Sequence, residues 1–165
     1  MTSSFLVKMF EHNNWANDQM IQTCLALSDE QLDAQPQSAT KGTIRNTLIH
    51  LVDAQQWYLD LLTVPLEERK DFIPGFADVH ETARRSGAAL LALAREETSN
   101  PLPAQVQTGN GNLVAPWVIM VQVINHATEH REQINNMLSA LGLTPPELDG
   151  WAYGEANGDL VPQPA

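Results

Sequence analysis

Cysteine is almost absent from this sequence. Cys24 stands alone among 165 residues, so no internal disulfide can form and the fold must rest on its own core. A single cysteine of this kind is expected to pack as a small hydrophobe. Basic residues are scarce as well: nine lysines and arginines face twenty aspartates and glutamates, for a formal charge of −11. That balance repels a phosphate backbone and an anionic lipid surface, so neither nucleic acid nor membrane is expected as a partner. Long apolar runs are missing too. No stretch reaches the roughly 18 to 20 residues that a membrane span requires, and MTSSFLVKMFEHNNWAND turns polar too soon for a secretory leader. These absences predict a cytoplasmic protein. The sequence also lacks internal repeats, a glycine-rich phosphate loop and low-complexity tracts.

What remains is material for one folded domain over residues 1–165. Hydrophobic residues make up 43% and charged residues 18%, a balance unlike that of disordered chains. Four segments carry helical periodicity between clusters of Pro, Gly, Ser and Asn. The first is expected from Ser3 or Ser4 to Leu27, with Phe5, Met9, His12, Ala16, Gln19 and Thr23 on one stripe and Leu6, Phe10, Asn17 and Met20 beside it. Ser28 and Gln31 form a capping-box signature for a short turn in the connection to Gly42. A second helix should start after Thr43 and run to about Thr63, burying Ile44, Leu48, Leu51, Gln55, Tyr58 and Leu62.

A third helix spans roughly Ala77 to Thr98, favoured by the run AALLALA and stopped by Asn100-Pro101. Two short extended pieces around Thr108-Gly-Asn-Gly-Asn112 suit a small hairpin or an ordered loop. The fourth helix should open near Pro116 and end near Leu141, with Gly142 as its left-handed cap. ELDGWAYGEANG should add one or two helical turns, and residues 159–165 should fray. The pattern predicts an all-α four-helix bundle whose connections are long enough to shape a pocket mouth.

The chemistry concentrates on the fourth helix. At about 100° per residue, His130 points with Ile119, Val123, Ile134, Met137 and Leu141, and His126 lies one turn away, displaced by about 40°. Histidines so spaced can share one ion. Two imidazoles in an apolar interior are costly unless each is hydrogen-bonded or coordinated, so the pair reads either as ligands or as hydrogen-bonded core residues. His50 lies at the edge of the second helix's buried face, near Ala54, Trp57 and Leu61. By itself it reads as structural; it gains a claim as third ligand because a bundle presents side chains of facing helices to one another, and three neutral imidazoles leave a position open for water or substrate, as in catalytic zinc sites. Glu129, about 100° from His130, reads as a proton acceptor, as a residue that orients a ligand, or as simply solvated. His12 is expected to face inward with Phe5, Met9 and Ala16, where it can line the pocket or assist proton transfer. His80, beside Asp78 and Glu81, reads as exposed.

The segments TIRNTLIHLVDAQQWYLDLL and VINHATEHREQINNMLSALGLTPPELD, with NNWANDQM in the first helix, resemble the DinB/YfiT-like proteins. In these a histidine on helix two pairs with a His-x-x-x-His-Arg motif on the last long helix. The resemblance implies an up-down-down-up four-helix bundle, often a homodimer, with a divalent metal such as nickel or zinc on the residues matching His50, His126 and His130. It further implies a small-molecule substrate, because members with known activity include metal-dependent transferases and isomerases that use a low-molecular-weight thiol such as bacillithiol, mycothiol or glutathione, while many members have no assigned activity. Such proteins often have glycine after the His-Arg pair, where this chain has Glu132, a position expected to face away from the metal. The leading expectation is transfer of a thiol, activated by the ion, to an electrophile. Metal-dependent hydrolysis and a non-catalytic, stress-related metal-binding module are the alternatives.

Overall fold

A computed structural model describes residues 4–36, 42–97 and 102–161. The described residues are mostly helical. They form α1 (Phe5–Leu25), α2 (Asp29–Asp33), α3 (Ile44–Thr63), α4 (Val79–Ala94), α5 (Pro116–Ala140) and α6 (Gly150–Ala156), with one small ladder of β1 (Val106–Gln107) and β2 (Leu113–Val114). None of these helices is long and apolar enough to cross a membrane.

Local chemistry fixes the helix ends. The hydroxyls of Ser4 and Thr43 accept from the backbone N–H groups of Val7 and Asn46, which starts α1 and α3 at capping residues. Ser28 and Gln31 satisfy each other's backbone in the expected reciprocal box and open α2. Pro116 sits in the first turn of α5, and Gly142, at φ +73°, supplies the left-handed residue that ends it. The third expected helix is shorter than its pattern suggests: Phe76–Asp78 forms a 3-10 turn and α4 stops at Ala94. Thr98 and the Asn100-Pro101 stop lie outside the described residues, as do Ser3 and residues 162–165 of the tail. The hairpin is present, with Val106 opposite Val114 and Gln107 opposite Leu113.

In the interior, α1 and α3 each pack against both α4 and α5. One apolar cluster gathers Met20, Leu48, Leu51, Ile134 and Met137, and a second gathers Phe10, Leu62, Leu90, Ile119 and Val123. The stretches between these clusters carry a buried polar layer of Asn13, Asn17, Gln55, Ser86 and Arg131. That layer corrects the expected orientation of α1. Phe5 is 81% and Met9 38% exposed, whereas Val7, Phe10, Asn13, Ala16, Asn17, Met20, Ile21 and Cys24 face inward. The buried stripe is rotated toward the flanking one of Phe10, Asn17 and Met20, and it takes in Asn13, an asparagine that an apolar pattern passes over. Cys24 is buried as expected, its Sγ 3.9 Å from Met20 Sδ, and burial pushes its thiol up to about 12.

Candidate metal centre

The packing of α3 on α5 brings His50 against His126 and His130. The His50 ring lies 5.0 Å from that of His126 and 4.7 Å from that of His130, and the latter two are 4.3 Å apart. One nitrogen from each ring falls within 4.8 Å of the others. His126 Nε2 and His130 Nε2 are separated by 3.1 Å. Two tetrahedral zinc bonds of about 2.0–2.1 Å would place their nitrogens about 3.3 Å apart, so the pair already stands at the spacing of two ligands on one ion. An all-imidazole set suits zinc or nickel better than calcium or magnesium. His130 is buried, while His50 and His126 are half-buried.

His130 is supported by Gln133, whose Oε1 lies 2.7 Å from His130 Nδ1. A carbonyl oxygen can only accept, so Nδ1 carries the proton and Nε2 turns its lone pair toward the cluster. Tyr58 adds a wall: its ring meets that of His126 edge-on at 5.7 Å. Burial raises the Tyr58 phenol above its ordinary range, a hydrogen bond to Gln122 opposes that rise, and the charge of Glu129 reinforces it. Sequence periodicity placed Tyr58 on the buried face without giving it a role.

The other expected residues lie as follows. Glu129 is exposed, and its charge is felt at Tyr58. His12 does not join the three histidines: its Nε2 stands 2.8 Å from Leu148 O, and its ring packs beside Trp15 and Tyr153. His80 is half-buried rather than free, with Nε2 2.8 Å from Asp18 Oδ1. Glu132 faces outward, accepting from Asn135 Nδ2 at 3.3 Å.

Sequence reasoning missed what surrounds Arg131, the neighbour of His130. Its guanidinium is buried and donates to Asn13 and Asn17, with a further bond to Thr128 Oγ1. Desolvation lowers its pKa to about 10. The Trp-Ala-Asn and His-Arg patterns were visible as separate motifs, and only the fold shows that the asparagine of one receives the arginine of the other.

Helices with a buried polar layer and a three-histidine cluster able to hold a divalent ion define the class of this molecule. The DinB family model matches residues 1–163, and the chain belongs to the DinB family. It is similar to Protein DinB of Bacillus subtilis (strain 168), at 25% identity over 164 residues that cover 92% of this chain and 94% of the relative.

Proposed function

We propose that this DinB-family protein holds one divalent ion, zinc or nickel, on His50, His126 and His130, and that it transfers a low-molecular-weight thiol to a small electrophile. The observation that carries the reading is the convergence of three ring nitrogens within 4.8 Å, with one ring's tautomer set by Gln133. A divalent ion at that point would favour the deprotonated form of a thiol or a water placed beside it. The chain's own part is to aim and to wall. Gln133 keeps the His130 lone pair on the cluster, Tyr58 confines the His126 ring, and Gln122 fixes the Tyr58 hydroxyl. Of the two candidates for proton transfer, Glu129 is the one whose charge reaches Tyr58, while His12 is engaged by Leu148.

The half-burial of His50 and His126 favours hydrolysis as the second reading, since it leaves the cluster within reach of water. A panel of bacillithiol, mycothiol and glutathione against an activated aryl halide, run with zinc and with nickel, separates the two. Turnover with a thiol that disappears in His126→Ala supports transfer. Failure of the whole panel with the metal bound removes it, in favour of hydrolysis or a non-catalytic module.

The same reading takes the chain as one domain, a homodimer in the cytoplasm that works on small molecules, and arranges α1, α3, α4 and α5 up-down-down-up. Support for that order comes from paired positions. Asn14 meets Gly87 while Asp18 meets His80, which runs α1 against α4. Gln55 meets Ser86 while Leu62 and Leu90 share one cluster, which runs α3 along α4.

A further inference from the structure

We propose that the cavity between α3, α5 and the β1–β2 hairpin is the acceptor pocket of this centre, and that it takes an uncharged, flat, largely apolar molecule with one hydrogen-bonding edge rather than a carboxylate or phosphate. The proposal rests on the reading of the three histidines as a working centre. The cavity measures about 540 Å³, within the range of small-molecule pockets. Its apolar walls come from Trp57 and Leu61 on α3, Leu113 on the hairpin and Ile119 on α5. Its polar lining residues are neutral, chiefly Asn110, Asn112 and Gln122, whose amides carry both donors and acceptors; Asn110 Oδ1 already accepts from Thr108 and Asn112.

Two features tie the pocket to the histidines. Tyr58 lines the cavity and also touches the His126 ring. Gln122 precedes His126 by one helical turn on α5, and Trp57 follows His50 by two turns on α3, distances of about 6 and 10 Å along the axes. The pocket therefore continues the same α3–α5 groove that holds the cluster.

The ligand's chemistry follows from what the walls carry. Among the described residues, no Lys, Arg, His, Asp or Glu lines the cavity. A carboxylate or phosphate held against these walls would lose water without gaining a cationic side chain, on a chain whose formal charge is −11. Trp57 and Leu113 stand 49% and 61% exposed at its walls, leaving large apolar faces that a flat ligand would cover.

The test compares 2-naphthol with 2-naphthoate, two probes of one skeleton, the first neutral and the second anionic near neutral pH. Binding is followed by calorimetry and by amide chemical shifts, in metal-loaded and in chelated protein. Naphthol should bind at least about tenfold more tightly, with shifts concentrated in the hairpin and the first half of α5. Leu113→Glu, on an exposed hairpin position, should weaken naphthol binding by about tenfold or more. Chelation should change that affinity by less than about threefold. Equal binding of the two probes, no binding, or an unaffected Leu113→Glu variant overturns the pocket. So does displacement of a dimer by naphthol through this face, which would give the cavity to a second copy of the chain. Metal uptake without naphthol binding sinks the pocket alone, whereas naphthol binding by protein that takes up no metal sinks the centre and with it the acceptor role.

Discussion

Arg131 donates through Nη1 to Asn17 Oδ1 at 2.6 Å, joining α5 to α1 in the interior. Asn17 passes the link to Gln55 on α3 at 2.8 Å, and Gln55 Nε2 donates to Ser86 Oγ and Ala83 O on α4 at 2.7 and 2.9 Å. One chain of bonds thus ties all four long helices, including the two that carry the histidines, around a cation whose acceptors are neutral oxygens. Asn17→Leu should cost about 2–4 kcal/mol, because it strips a buried charge of an acceptor and leaves Gln55 Oε1 without its donor. Arg131→Met in the same chain should not add to that cost. In a urea-unfolding cycle of the two single variants and the double, the expected coupling is about 1–3 kcal/mol; strict additivity would show that the bonds act independently.

Gly87 lets α4 approach α1 closely. A Cβ there would lie 2.7 Å from Asn14 Oδ1, and Asn14 is held in place by donating Nδ2 to Gly87 O at 2.9 Å. Gly87→Ala should therefore destabilise by about 1–2 kcal/mol despite alanine's better helix propensity. Adding Asn14→Ala should recover part of the loss, as read from thermal unfolding of both variants.

Gln133 reaches the candidate metal centre through His130, from whose Nδ1–H it accepts. Replacing it by leucine removes the acceptor for Nδ1–H, so the ring is free to turn or to change tautomer. Divalent-metal affinity should fall by about 10- to 100-fold, measured by competition with a chelating dye. The metal-free variant should unfold within about 1 kcal/mol of wild type. An unchanged affinity would mean that His130 needs no such support.

Burial of Cys24 makes stability depend on alkaline pH. The folded thiol keeps its proton to about 12, against an ordinary value of 9.0. Between those values the native state binds the extra proton, so the stabilisation present below about pH 9 is lost as pH rises. Cys24→Ala removes this slope, and the stability gap between wild type and variant should shrink by about 1–2 kcal/mol from about pH 8 to about pH 10.5. Parallel urea curves with a constant gap would contradict the buried thiol.

Much of this was legible in the chain. Thr43, Pro116 and Gly142 punctuate α3 and α5 by local chemistry that sequence states directly, and the i, i+4 pair of His126 and His130 fixes its own geometry on one helix. His50 was weaker, because its place depends on how α3 turns toward α5, which no single-helix pattern encodes. The rotation of α1 is hidden for a related reason: Asn17 falls on the flanking stripe with Phe10 and Met20, but Asn13 looks like a surface residue until Arg131 arrives from a segment more than one hundred positions away. The surroundings of His12 are hidden in the same way, since its contact with Leu148 depends on where the segment before α6 returns. Tyr58 and Gln122 gain meaning only when the hairpin closes the groove between their helices.

The central claim is that three imidazoles from two helices bind one divalent ion. It is tested most directly by elemental analysis of protein purified without a metal-affinity tag, then saturated with zinc or nickel and desalted, alongside melting with and without chelator. The account predicts about one ion per chain, less than about half an ion in His126→Ala and in His130→Ala, and a melting temperature that falls on chelation of the wild type only. Wild-type protein that retains no ion after saturation, and melts identically with and without chelator, would contradict it.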